Sequence, residues 1–238
     1  LTVGGKSATG TITDNDSAPT IASVSSANAT EGASLVYTVA LTNPSATPTT
    51  FNYTLGGGTA SAADYGTATF SNGVTLANGI LTVPAGVTNF TVTLPTVDDT
   101  VFEPSETVPL TIGGVTGTGT IIDNDLAPTI ASVSSASVTE GASLVYTVAL
   151  TNPSATATTF NYTLGGGTAS AADYGTPTFS NGVTLSNGVL TVPAGVTNFT
   201  VSLPTVDDTV FEPSETVPLT IGGVTGTGTI IDNDLAPT

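Results

Sequence analysis

"SLVYTVALTN", Ser34 to Asn43, sets Leu35, Tyr37, Val39 and Leu41 at every second position. Successive side chains of a strand point to opposite faces, so this alternation predicts a half-buried β-strand with those four residues against a core. Outward from it, "TTFNYTL" (Thr49 to Leu55) alternates through Phe51, Tyr53 and Leu55, and "NFTVTL" (Asn89 to Leu94) through Phe90, Val92 and Leu94. "TIASVSS", "ILTV", "TVPLTI" and "VTGTGTII" supply further apolar runs, all punctuated by Gly, Pro and Asn.

The runs place strands at about 20–26, 33–43, 49–55, 79–83, 87–94, 107–112 and 115–122, with 65–78 a surface excursion. About seven short strands in about a hundred residues, with no helical period, predict an all-β, immunoglobulin-like Greek-key β-sandwich. The set occurs twice. Residues 17–125 and 126–234 differ at only eight positions, among them Asn28/Ser137, Ala68/Pro177 and Thr93/Ser202. Residues 1–16, "LTVGGKSATGTITDND", match Leu110 to Asp125 and are expected to be the tail, the last strand, of a preceding copy. Residues 235–238 repeat the junction and are expected to begin the next linker. Leu126-Ala127-Pro128 joins the copies; proline restricts rotation there, so the tandem sandwiches are expected to form a rod.

Composition narrows function. The net charge is −17, with 18 acidic residues, one base (Lys6) and no His. Binding to phosphate backbones relies on Lys and Arg, so nucleic acid is excluded as a partner, and anionic membranes with it. No apolar run reaches the length of a membrane span, so no membrane insertion is expected. With no Cys there is neither a disulfide framework nor a thiolate metal site. Missing His and Cys also remove the usual nucleophile triads, and "LGGGTA" (Leu55 to Ala60) lacks the Lys and helix of a phosphate-binding loop. A glycosidase-type carboxylate pair lacks an aromatic cleft, there being no Trp. The chain is not expected to be an enzyme or to take a small-molecule substrate. The N-x-T triplets at Asn28, Asn52, Asn89, Asn161 and Asn198 are what a Thr-rich chain produces by chance.

The acids are not scattered. "VDDTVFEPSE" at Val97 to Glu106 recurs at Val206 to Glu215. With strands running alternately up and down, Glu31, Asp64, Asp98, Asp99, Glu103, Glu106, Asp123 and Asp125 all fall at one pole of the first copy, and none at the other. At ~5 Å and an effective dielectric near 20, each carboxylate pair repels by roughly 3 kcal/mol. Neither copy contains a base, so the counter-charge has to be a bound cation. Hard oxygen donors favour calcium over zinc or copper. At about 6–8 ligands per ion, roughly two to four Ca²⁺ ions fit each repeat junction.

These residues carry a resemblance. "EG" (Glu31-Gly32), "ADY" (Ala63 to Tyr65), "DDTVFEPSE" (Asp98 to Glu106) and "DND" (Asp123 to Asp125) resemble, in order, the four calcium-binding segments of Calx-beta domains. The resemblance spans nearly the whole copy. It implies calcium ligation by Glu31, Asp64, Asp98, Asp99, Glu103, Glu106, Asp123 and Asp125, with the Val101 carbonyl. In the second copy it implies Glu140, Asp173, Asp207, Asp208, Glu212, Glu215, Asp232 and Asp234, with the Val210 carbonyl. Asp14 and Asp16, matching Asp123 and Asp125, join the candidates. Family members often carry three acids in a row where this chain has "DDT" and "DND".

The near-identical tandem copies and their sulfur-free composition also resemble the extender repeats of large bacterial repeats-in-toxin adhesins. That resemblance implies secretion to the cell surface, partnership with neighbouring repeats of the same chain, and a calcium-rigidified spacer that projects a distal binding domain. A Calx-beta-type calcium sensor is the alternative, and direct adhesion to glycans or proteins a third reading.

Overall fold

The computed structural model describes residues 2–237, which form strands and loops with no helix among them. They divide into two units, residues 2–98 with 106–122, and residues 99–105 with 123–237.

The first unit opens on β1 (Thr2–Val3) and β2 (Lys6–Ser7), a two-stranded sheet turned at Gly4-Gly5. Val3 pairs with Lys6 here as Ile112 pairs with Val115 further on, so the match of residues 1–16 to Leu110–Asp125 extends to register. Its side chains are all exposed, which is why pairing ends after two residues on each side.

Ten strands follow: β3 (Ile21–Val24), β4 (Ala27–Thr30), β5 (Ser34–Leu41), β6 (Thr49–Leu55), β7 (Thr69–Phe70), β8 (Thr75–Ala77), β9 (Ile80–Val83), β10 (Asn89–Pro95), β11 (Glu106–Ile112) and β12 (Val115–Ile122). They form sheets of order β3-β5-β10-β7 and β4-β12-β11-β6-β9-β8. Two packed sheets, antiparallel apart from β4 with β12 and with the first strand region divided between them, make an immunoglobulin-like sandwich. The alternation in β5 is realised as read: Leu35, Tyr37 and Val39 are fully buried beside their cross-strand partners Leu94, Val92 and Phe90 of β10, and share the core with Val108, Leu110 and Ile112 of β11 in the other sheet. Each such side chain contributes roughly 1.5–3 kcal/mol by leaving water.

Two expectations are corrected. The strand placed at 20–26 is two strands. Ile21–Val24 pairs antiparallel with β5, and Ala27–Thr30 crosses to the other sheet to pair parallel with β12. Ser25 and Ser26 make the crossing, with Thr38 N–H donating to Ser25 Oγ (2.8 Å) and Thr118 N–H to Ser26 Oγ (3.3 Å). Gly117 lies against it; a Cβ there would meet the Ser25 carbonyl oxygen at 2.2 Å. Second, 65–78 is not a surface excursion. β7 extends the first sheet beside β10, β8 forms a hairpin with β9, and Val74 between them is buried.

The second unit repeats this plan with β13 (Ile130–Val133), β14 (Ala136–Thr139), β15 (Ser143–Leu150), β16 (Thr158–Leu164), β17 (Thr178–Phe179), β18 (Thr184–Ser186), β19 (Val189–Val192), β20 (Asn198–Pro204), β21 (Glu215–Ile221) and β22 (Val224–Ile231). The sheet orders are the same, β13-β15-β20-β17 and β14-β22-β21-β16-β19-β18. Leu144, Tyr146, Val148, Phe199, Val201 and Leu219 form the matching core.

Candidate metal centre

In the second unit four loops carry the acids, and each is fixed by backbone bonds before any ion is considered. The turn after β14 presents Glu140, whose N–H donates to the Ile231 carbonyl at 3.0 Å. Gly141 follows in the left-handed region (φ 80°), with Asp207 so close that a Cβ on Gly141 would lie 3.0 Å from the Asp207 Cβ. The loop after β16 brings in Asp173, which accepts the Ser170 N–H on Oδ2 at 2.6 Å and whose own carbonyl accepts from Val206 N–H at 2.9 Å. After β20, Asp208 Oδ1 accepts from the Val210 N–H at 2.7 Å. After β22, Asp232 Oδ1 accepts from the Asp234 N–H at 3.2 Å and Oδ2 from the Glu212 N–H at 3.0 Å. These contacts two residues apart are Asx turns, in which a short carboxylate substitutes for a backbone carbonyl and folds the loop locally.

Two trios result. Glu140, Asp232 and Asp234 each offer an oxygen within 4.8 Å of the others, as do Asp173, Glu212 and Glu215. The remaining acids stand near them: Asp207 and Asp208 both act electrostatically on Asp234, and Asp208 also on Glu212. Asn233, which lies between two candidate ligands and was not itself among them, is a strut. Its Nδ2 donates to Asp207 Oδ1 at 2.8 Å and its N–H to Glu140 Oε1 at 3.1 Å. An amide between two aspartates on a tight turn is the signal that would have pointed to it.

The crowding shows in the acid strengths. Partial burial, then Asp173, Asp208 and Asp232, push Glu212 above the usual carboxylate range. Glu215 is raised by burial and Asp173, and Asp234 by burial and then Asp232, Asp208 and Asp207. Glu140 is raised too: the hydrogen bond from Asn233 pulls it down, but burial and the Asp232 and Asp234 carboxylates outweigh it. Asp232 alone moves the other way; burial raises it, but the N–H groups of Glu212 and Asp234 outweigh that. Asp234 Oδ2 is buried from water with no hydrogen-bond partner, as is the neutral Tyr162 Oη elsewhere in the unit. An unpaired buried carboxylate oxygen is among the more unfavourable arrangements a fold can hold.

The first copy's acids are assigned by unit. Glu31, Asp64, Asp98 and Glu106 belong to the first, and Asp99, Glu103, Asp123 and Asp125 to the second. Within their units they repeat the local bonds. The Glu31 N–H donates to the Ile122 carbonyl at 3.0 Å, Asp64 accepts from Ser61, and Asp98 packs against Gly32. In the second unit Asp123 accepts from the Glu103 N–H at 3.0 Å and the Asp125 N–H at 3.2 Å, and Asp99 from the Val101 N–H at 2.7 Å. Val101 and Val210, expected to contribute carbonyls, are tied in through their amides. Asp14 and Asp16 keep the Asx turn (3.1 Å), yet both are exposed and neither belongs to a carboxylate trio among the described residues.

An all-oxygen trio of this kind fits a hard divalent cation such as Ca²⁺.

No protein-family model matches the chain, and no curated protein sequence does. Among solved structures it is similar to the titin I-band fragment I67–I69, at 7% identity over 92% of this chain and 66% of that one, TM-score 0.26. It is also similar to a structure of Dpr2 Ig1–Ig2 in complex with DIP-Theta Ig1–Ig3 (9% identity, 92% of this chain, 99% of that one, TM-score 0.24). A cohesin from Acetivibrio cellulolyticus scaffoldin B is similar over 45% of this chain and all of that one, at 12% identity and TM-score 0.22.

Proposed function

We propose that each copy is a calcium-set spacer, a structural repeat whose acidic loops take up Ca²⁺ and become fixed, in an extracellular chain that carries a binding domain elsewhere. The observation that carries this reading is Asp234 Oδ2, a buried carboxylate oxygen without a partner, inside a trio of acids in a copy that contains no base. A divalent cation supplies the missing partner and reverses the repulsion. The two trios of the second unit would give two ion positions, one to each trio. Glu140, Asp232 and Asp234 would hold one ion, and Asp173, Glu212 and Glu215 the other. Because Asp232 and Asp234 lie immediately before Leu235, the first ion would also fix the direction in which the chain leaves the sandwich.

The test is calorimetric titration of calcium into the chelator-treated chain, paired with small-angle scattering. A spacer binds at roughly millimolar levels and its maximum dimension lengthens and sharpens with calcium. Micromolar binding accompanied by a reorientation would transfer the reading to a sensor. Absence of both heat and thermal stabilisation would remove calcium from the account.

A further inference from the structure

The asparagines divide by what their side chains do. Outside the N-x-T triplets they shape the backbone. Asn72, Asn78, Asn181 and Asn187 hold turns in the left-handed region (φ 56°, 51°, 54° and 51°). Asn43 and Asn152 donate Nδ2 to the Ser17 and Leu126 carbonyls at 2.8 and 2.9 Å, and Asn233 ties two acids together. Asn28, Asn52, Asn89, Asn161 and Asn198, which begin the N-x-T triplets, do none of this. All are exposed on strands, and among the described residues their side chains make no hydrogen bond beyond a 3.5 Å contact of Asn198 with Thr197.

Strands disfavour Asn, yet on the outward face of β16 Asn161 stands between Thr159 and Thr163, residues that suit a strand. Neither propensity nor bonding calls for an amide there. Positions two apart share a face, so the Asn161 amide and the Thr163 hydroxyl lie side by side and both exposed, the pair that an N-glycosylating transferase reads. Space lies beside them. β19 pairs with β16 as far as Asn161 and β21 only from Tyr162 onward, where the Gly222 N–H donates to the Asn161 carbonyl at 3.0 Å. At this step is a hollow of about 410 Å³ lined by Thr159, Phe160, Asn161, Val189 and Gly222, a size that takes a small ligand. Half-buried Phe160 and exposed Val189 give it apolar surface.

We propose that Asn161 is a modification site, the acceptor of an N-linked sugar whose first residue lies in this hollow, with Asn52 as its counterpart in the first unit. The donor is a sugar with a pyrophosphate at C1, carried by a lipid or a nucleoside. Asn161 Nδ2 bonds to C1, the bond from C1 to the pyrophosphate oxygen breaks and its electron pair leaves with the diphosphate, and the proton lost from Nδ2 passes to a base of the transferase. β16 is paired on both sides, so transfer precedes closure of the sheet, and the folded unit has only to seat the sugar. The site is on a sheet face and apart from the acidic loops, so it stands independently of the calcium reading.

Mass spectrometry of the chain purified from the cells that make it tests this, with cleavage on the carboxyl side of Asp and Glu because Lys6 is its only base. Asn161 then lies in peptide 141–173 and Asn52 in peptide 32–64, neither of which contains another N-x-T triplet. Peptide 141–173 should carry the mass of one or more hexose or N-acetylhexosamine residues. The added mass should be lost completely in Asn161→Gln and in Thr163→Val and kept in Thr163→Ser, both positions being exposed, so that the sandwich still folds. Blocking the synthesis of lipid-linked sugars removes the mass where a lipid carries the donor and leaves it where a nucleoside does. Peptides 141–173 and 32–64 found unmodified, or an added mass that survives Asn161→Gln or Thr163→Val, would overturn the proposal.

Discussion

The interior of the second sandwich and the loops at its acid-bearing pole follow opposite rules. Inside, Leu144, Tyr146, Val148, Phe199 and Leu219 are at most 1% exposed, and the one hydroxyl among them, that of Tyr146, donates to the Val217 carbonyl at 2.5 Å. Burial holds that phenol at a pKa of about 12, so it does not titrate in any ordinary condition. At the pole, backbone amides satisfy parts of the carboxylates, but Asp234 Oδ2 has no hydrogen-bond partner and four acids are raised by burial and then by their neighbours. Within the core one polar atom, Tyr162 Oη, is also buried without a hydrogen-bond partner, but it is neutral and carries no charge to be met. Under the proposed function the pole takes up a cation, and the two regions should therefore answer differently to calcium.

The largest effect breaks the core side of this contrast. Leu144→Ala removes a fully buried side chain from β15 and should destabilise the protein by about 3 kcal/mol through lost transfer energy and the cavity left behind. Thermal unfolding should show the same loss in calcium and in chelator. A loss confined to calcium would mean that the sandwich does not hold without the ion.

A smaller effect, with a change of sign, sharpens the pole side. Asp234→Asn keeps the shape but removes a charge from the crowded loops. In calcium it deletes a ligand and should lower the melting temperature, by less than Leu144→Ala does. In chelator it relieves an unpaired oxygen and the repulsion from Asp232, and should stabilise slightly. Destabilisation of equal size in both conditions would mean that Asp234 serves the fold alone.

How much of this was legible in the sequence follows from which forces are local. β5 and β10 could be read because alternation of Leu35, Tyr37 and Val39, or Phe90, Val92 and Leu94, is a one-dimensional record of one buried face. The grouping of acids could be read because loops at one end of an up-and-down sandwich must meet. The division at Ser25-Ser26 could not. Ile21 and Val24 are buried three residues apart because of a bulge, and the parallel partner β12 lies about ninety residues away. β8 was missed because three residues, all exposed, are too short to record a buried face, though its turn was signalled: Asn78-Gly79, both with positive φ (51° and 77°), is the pair that a two-residue hairpin favours. Asn233 was missed because its role is to donate to carboxylates from other loops, which spacing alone does not encode.

The smallest effect concerns pH, and its sign separates the two regions without any mutation. Glu140, Glu212, Glu215 and Asp234 have raised pKa values in the folded chain, so in chelator the folded state holds more protons than the unfolded one above the ordinary carboxylate range. Stability should be highest in acid and fall as pH rises through about 4.3 toward the raised values. Asp232, lowered, contributes stability above its unfolded pKa that is lost as pH falls, but it is one group against four. Calcium reverses the slope, because protons compete with the ion for the same oxygens and acid drives it off. Melting temperatures from pH 4.5 to 7 should therefore decline with pH in chelator and climb with pH in calcium. Matching downward slopes would show that the ion does not sit among these four acids, and matching upward slopes would show that their repulsion is not what governs the pole.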